Sequence, residues 1–271
     1  MRDEPEFRTD LYRGTAADYD RYRLPYPKEL LDELIQRAGG DGDRVLDLAC
    51  GTGQVVFGLY QRSREAWAVD LEAEAVEFGR QKAERLGVRN IHWVAAAAEK
   101  FDAEESSFDL VTVGNAFHRL QRREVAARAF RWLKAGGCLA LLWGDTPWTG
   151  TRTWQVALTE VMDRWTVRAG AVDRVPAGVQ ELLAVTAHAP VLQEAGFANE
   201  GRFEVVVPYE WNIESVTGFM FATSVLSRDA LGAMAEPFAD DLRKELLAVK
   251  PSGVFRQSMS FACELARRPA V

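Results

Sequence analysis

The chain has 271 residues, of which 48% are hydrophobic and 27% charged, with a net charge of -7 and a pI of about 5.2; this suits one large soluble domain with insertions. An acidic balance argues against a nucleic-acid partner, because phosphate binding shows as a basic excess. The three cysteines, Cys50, Cys138 and Cys263, are odd in number and lie in apolar surroundings, so they read as reduced hydrophobes rather than a disulfide set. The charged start "MRDEPEFRTD" has no apolar signal core and no window is apolar enough to span a membrane, so the expected location is cytoplasmic.

In chain order, "KELLDELIQRA" (28–38) puts Leu30, Leu31, Leu34 and Ile35 on one helical face, and Gly39-Gly40 ends it. "RVLDLA" (44–49) is a short buried strand. The segment from Gln54 to Arg64 carries Val55, Val56, Leu59 and Tyr60 on one face and predicts a helix starting at the glycine loop. "AWAVDL" (66–71) is a second strand, residues 72–87 a helix, "IHWVAA" (91–96) a third strand and "SFDLVTVGNAF" (107–117) a fourth. A helix over 121–134 precedes the strand "CLALLWG" (138–144). The arginines Arg119, Arg122, Arg123, Arg128 and Arg131 read as a solvated face around it. This alternation predicts an α/β, Rossmann-like, doubly wound sheet, parallel in its first five strands.

After Trp143 the rhythm changes. Helices are expected over 150–168 and 179–195, then a strand "RFEVVVPYEW" (202–211), helical pieces across 212–250, and the alternating "SMSFACELARR" (258–268) as an antiparallel last strand. The expected organisation is a single domain of seven strands. Its parts are an N-terminal cap (1–40), a ligand-binding core (41–145), lid insertions at 146–200 and 212–250, and the last two strands at 201–211 and 254–268.

The stretch "RVLDLACGTGQ" (44–54) carries the chemistry. Ligands of open parallel sheets bind where the first strand hands over to the first helix, and Gly51 and Gly53 let a ligand approach the bare backbone there. Asp70 closes the second strand, where a carboxylate can take both hydroxyls of a ribose. A dinucleotide loop aligned on Gly51 would need glycine or alanine at position 56, which is Val56. Asp47, just before the loop, would repel a pyrophosphate but favour a cation. The pattern therefore points to a nucleoside bearing an amine or a sulfonium.

With "WAVDL", "FDLVTVGNAFH" and "LKAGGCLALLWG" added, the chain resembles the class I S-adenosylmethionine-dependent methyltransferases over nearly its whole length. Within them it is most similar to small-molecule enzymes of the ubiquinone-biosynthesis and trans-aconitate type. Ala49 stands where the family often has glycine, and Ala97 where it usually has an acid or amide for the adenine amino group. The resemblance implies S-adenosylmethionine as cofactor and S-adenosylhomocysteine as product. Asp47, Ala49, Gly51 and Gly53 would contact its methionine part, Asp70 and Leu71 its ribose and adenine face, Ala98 and Glu99 its adenine edge, and Asn115 and Ala116 the region of its sulfur. Tyr19 and Arg23, in "DYDRYRLPYP", could meet its carboxylate; alternatively Tyr19, Tyr22 and Tyr26 only pack the leader onto the sheet.

The implied reaction is in-line methyl transfer to O, N or C of a small, partly apolar or aromatic acceptor, of the kind found in secondary metabolism. No metal is expected. His118, directly after the fourth strand, is the candidate general base, with bonding to its own loop as the alternative. Five of the eight tryptophans lie between Trp143 and Trp211; with Phe219, Met220 and Phe221 they suggest an aromatic acceptor pocket under the lid, most of them being core and one or two touching the acceptor. Two other readings stay open: a cofactor-binding protein without catalysis, and a nucleic-acid methyltransferase, whose usual proline-bearing loop after strand four is absent from "GNAFHR". The partner is expected to be a small molecule, with neither nucleic acid nor membrane, for a monomer or homodimer.

Overall fold

The computed structural model describes residues 7–175 and 188–270. Seven strands form one sheet: β1 (Gly42–Leu48), β2 (Ser63–Asp70), β3 (Ile91–Ala95), β4 (Phe108–Gly114), β5 (Leu133–Gly144), β6 (Ala198–Asn212) and β7 (Val254–Arg267). Their order is β3-β2-β1-β4-β5-β7-β6. The first five are mutually parallel, while β7 runs antiparallel to both β5 and β6. The parallel strands are apolar runs because both faces are covered. Successive side chains alternate faces, so Val45 joins one buried cluster and Leu46 the other.

The helices are α1 (Ala16–Tyr22), α2 (Lys28–Ala38), α3 (Val56–Leu59), α4 (Ala73–Leu86), α5 (Arg122–Trp132), α6 (Thr153–Arg168), α7 (Ala189–Glu194), α8 (Ile213–Phe221), α9 (Arg228–Leu231) and α10 (Ala235–Val249). Leu30, Leu31, Leu34 and Ile35 bury one stripe of α2, and Gly39 ends it in the left-handed conformation at φ 112°. That stripe belongs to the same cluster as Trp154, Trp165, Trp211, Phe219 and Phe238, so α6, α8 and α10 pack on one face of the sheet with α2. The other face is closed by Val125, Ala129 and Trp132 of α5 and by Val191 and Leu192 of α7.

Element types follow the sequence reading, and boundaries shift. The helix expected over 54–64 is reduced to α3 and a 3-10 turn at Tyr60–Arg62. The loop itself extends to residue 55 as turns, and β2 already starts at Ser63, so little chain is left for a helix. The edge strand β6 starts four residues earlier than expected, and its side chains alternate between exposed and half-buried because Phe203, Val205, Val207 and Tyr209 of one face pack on the core while the other face meets solvent. The expected helix over 179–195 lies mainly outside the described residues; its described end is α7. Among the described residues, no helix is long and apolar enough to cross a membrane.

The leader crosses the sheet's carboxyl ends and is tied down at several points. Lys82 on α4 holds Asp20 at 2.7 Å, Arg228 of α9 holds Asp18 at 3.1 Å, and Arg21 reaches Glu214 of α8 at 2.7 Å. The amide of Gly14 donates to Glu74 Oε2 at 2.9 Å. Helices α1 and α8 approach closely because Gly218 leaves room for the Tyr22 ring, which a Cβ there would strike. Surface and part-buried pairs of this kind each contribute up to about 1 kcal/mol, so the leader is held by many weak ties.

Candidate functional site

The strand order reverses between β1 and β4, so the crossovers leaving those two strands part in opposite directions and open a crevice at their carboxyl ends. The glycine loop fills the floor of that crevice. Ala49, Gly51 and Gly53 all take left-handed backbone, at φ 52°, 56° and 97°. Such backbone costs a residue with a Cβ about 1–2 kcal/mol, and glycine's greater freedom in the unfolded chain offsets about half of that. Ala49→Gly is therefore expected to raise the unfolding free energy by about 0.5–1 kcal/mol, read from denaturant midpoints.

Asp70, at the end of β2, accepts the Gly51 amide on Oδ2 at 2.7 Å and the Glu72 amide on Oδ1 at 2.8 Å. One carboxylate thus fixes the loop from the neighbouring strand. Burial raises its pKa while those two amide bonds pull it down. Asp47 is fully buried beneath the loop. It accepts the Thr112 hydroxyl at 2.8 Å and, more weakly, the Val56 amide at 3.2 Å. Burial outweighs both bonds and lifts its pKa to about 7.

Two neighbouring cavities lie here. The larger has a volume of about 450 Å³ and is walled by the leader (Phe7 to Tyr19), the loop (Ala49, Gly51, Thr52), Asp70 to Glu72, Ala97 to Lys100, and Gly114 to Ala116 with Arg119 to Gln121. That is ample for a small-molecule ligand. The smaller, about 30 Å³, adjoins Tyr19, Arg23, Tyr26, Asp47, Ala49, Asn115 and Phe219. Both share Tyr19, Ala49, Gly114 and Asn115. Asn115 turns sharply at φ 52°, its amide on the Leu142 carbonyl at 2.7 Å.

Of the residues expected from sequence, Tyr19, Ala49, Gly51, Asp70, Leu71, Ala98, Glu99, Asn115 and Ala116 line the larger cavity. Arg23 and Asp47 line the smaller one. Gly53 lines neither: a Cβ there would lie 2.8 Å from Trp93 and 2.9 Å from Phe57, so its bareness serves packing. His118 also lines neither. It sits edge-on to Phe7, 6.3 Å between ring centres, and burial, with Arg119, His188 and Arg122 adding to it, lowers its pKa to about 3. The geometry does not support a general base there. Arg119 is a second correction: it belongs to the turn Phe117–Arg119 and faces the cavity rather than a solvated helix face.

The aromatic acceptor pocket is replaced by core. Trp154, Trp165 and Trp211 are buried, and of the expected aromatic set only Phe219 lines either of these two cavities. What the sequence reading missed is the wall supplied by Phe7, Leu11 and Tyr12. Their spacing in "FRTDLY" is an apolar signal, but too short to show periodicity.

Residues 45–137 match the profile of a family described as a methyltransferase domain. A ubiquinone/menaquinone biosynthesis C-methyltransferase from Rhizobium meliloti is 34% identical over 120 residues, covering 42% of this chain and 46% of that protein. A mitochondrial 2-methoxy-6-polyprenyl-1,4-benzoquinol methylase from Leishmania donovani is 37% identical over 117 residues, 41% of this chain and 40% of that protein. The matched region thus spans under half of either relative. The YcgJ protein of Bacillus subtilis has a similar fold, with a TM-score of 0.57 at 16% identity over 90% of this chain and 99% of that one. With the strand order, the glycine loop and the acid closing β2, these matches make residues 45–137 similar to methyltransferase domains.

Proposed function

We propose that the larger cavity binds S-adenosylmethionine and that the chain transfers its methyl group to O, N or C of a small acceptor, leaving S-adenosylhomocysteine. The observation that supports this most is Asp70. Each of its oxygens takes one backbone amide, and an ionised carboxylate has about four lone-pair sites, so both oxygens can also accept from a ribose diol.

The neighbouring walls suit the rest of the molecule. Leu71 is 46% exposed beside Asp70, an apolar face onto which an adenine ring can pack. Ala98 and Glu99 frame the ring's edge. Glu99 Oε1 accepts the Gln121 amide at 2.9 Å, which leaves the other oxygen for the adenine amino group and compensates for Ala97. Ala49 and Gly51 admit the methionine part against bare or nearly bare backbone, with Asp47 as the negative charge beneath. Arg23, stacked on Phe219 at 4.3 Å with an unpartnered Nε, faces the same end with Tyr19 and suits the carboxylate. Asn115 and Ala116 flank the position of the sulfur.

Bound in this way, the cofactor supplies an electrophilic methyl on a sulfonium. The chain aligns the acceptor with it and excludes water: charge disperses during an in-line transfer, so a dry, fixed geometry accelerates it. The leader, with Phe7, Leu11, Tyr12 and Tyr19 on the cavity, is the water-excluding wall. No lining side chain is required as a base when the acceptor arrives ionised.

Calorimetry with S-adenosylhomocysteine and with NADH tests the cofactor, and methyl transfer from labelled S-adenosylmethionine to candidate quinols, phenols and amines tests the activity. Tight NADH binding with S-adenosylhomocysteine refused would overturn the reading. His118→Ala is expected to change turnover less than about threefold. A hundredfold loss at unchanged cofactor affinity, the scale of general-base catalysis, would restore His118 to the mechanism.

A further inference from the structure

Arg119 carries chemistry in the cavity that the proposed cofactor leaves unused. Its guanidinium is stacked on two rings of the leader, 5.4 Å from the centre of Phe7 and 5.1 Å from that of Tyr12. Its Nε and Nη1 are buried and have no hydrogen-bond partner. Four acids line the same cavity, Asp70, Glu72, Glu99 and Glu124, yet no ion pair to Arg119 is formed among the described residues. Cation–π contacts recover part of the desolvation cost of a guanidinium, but they leave its N–H donors unmade. Donors of this kind are costly to bury and are normally matched. Arginine cannot relieve that by losing its proton.

The charge balance of the site points the same way. Asp47 and Asp70 suit a cationic nucleoside, and the cofactor's single carboxylate has its own cation in Arg23, which lines the smaller cavity with Asp47. Arg119 lies in the larger cavity, at the turn that follows Asn115 and Ala116. A second cation beside a sulfonium is unfavourable unless an anion enters with the acceptor. A guanidinium whose plane is already held by two rings loses little freedom on binding a planar oxyanion.

We propose that Arg119 anchors an anionic oxygen of the methyl acceptor, a carboxylate, phenolate or enolate, so that acceptors reach this site as anions. The proposal rests on the reading of the larger cavity as the S-adenosylmethionine site. Phe7 and Tyr12 act through Arg119, holding its plane.

The test uses the whole chain with four kinds of probe: S-adenosylhomocysteine, 5′-methylthioadenosine (which lacks the amino-acid tail), aromatic carboxylates such as benzoate, 4-hydroxybenzoate and cinnamate, and their neutral amides. With the cofactor product saturating, the carboxylates are expected to bind at least tenfold more tightly than the amides. Arg119→Gln should remove that preference while leaving the affinities of S-adenosylhomocysteine and 5′-methylthioadenosine within twofold. Arg119→Lys, which keeps the charge without the fork, should retain part of it. Absence of the preference in the unaltered chain, or its survival in Arg119→Gln, overturns the proposal. So does a loss in Arg119→Gln confined to S-adenosylhomocysteine, which would place Arg119 on the cofactor's own carboxylate. An equal loss for both nucleosides overturns it too, leaving Arg119 as a leader fastening. Failure of the unaltered chain to bind S-adenosylhomocysteine would instead sink the cofactor reading itself.

Discussion

Asp70→Ala is expected to weaken S-adenosylhomocysteine binding by about 1.5–3 kcal/mol, roughly 10- to 150-fold, the range for losing hydrogen bonds to a charged group. Two effects combine. The ribose diol loses its acceptor, and the Gly51 and Glu72 amides lose theirs, so the loop is no longer held to β2 while it waits for ligand. Asp70→Asn separates them, because its remaining carbonyl oxygen can still take one amide; it should fall between the parent and the alanine variant. Calorimetry gives the affinities, and thermal unfolding shows that each variant folds. Unchanged affinity in Asp70→Ala would remove the ribose assignment, and with it the main support for the cofactor.

The second large effect is with pH. Burial raises Asp47 from an ordinary carboxyl value to about 7, so near neutrality it is divided between acid and anion. The sign for stability follows. The folded state holds a proton that the unfolded chain releases, so the contribution is fully present below the unfolded value and is lost as pH rises through about 7. A cationic ligand reverses the preference by favouring the anion. If only the ionised form binds, apparent affinity scales with the ionised fraction. The dissociation constant of S-adenosylmethionine, whose sulfonium carries the charge, should then be about tenfold larger at pH 6 than at pH 8. Asp47→Asn should flatten that profile at the weaker level. A profile equally steep in Asp47→Asn would place the titrating group elsewhere.

Most of the core was legible because it is built from short-range patterns. The apolar run of Val45 to Leu48, the stripe on α2, Gly87 at the end of α4 and the alternation in β7 each follow from a single element's periodicity. The shortening of α3 was not legible: it depends on how far the left-handed loop runs before β2 must begin. Asp47, Ala49, Gly51 and Asp70 were readable as a set, because strand ends and a glycine loop occupy a known place in a doubly wound sheet. Gly53 looked like the same kind of residue. Only the packing of Trp93 and Phe57 across the fold shows that its missing Cβ serves those rings.

His118 shows the same limit from the other side. A histidine after β4 has the right chemistry, but its pKa depends on what surrounds it, and Phe7, Arg119, Arg122 and His188 come from distant parts of the chain or from the turn geometry. The tryptophans of 148–211 were legible as mostly core, but not which aromatic of the set would reach a cavity, which is Phe219.

The sequence by itself determined the order of strands and helices, the glycine loop and the two acids beside it, because these are properties of consecutive residues and of their sign of charge. Only the tertiary structure decided which bare positions face the cavity, how far Asp47 is buried, and that the leader brings Phe7 and Tyr12 onto Arg119. Burial, pKa and the partners of a charge depend on residues far apart in the chain, and no local pattern encodes them.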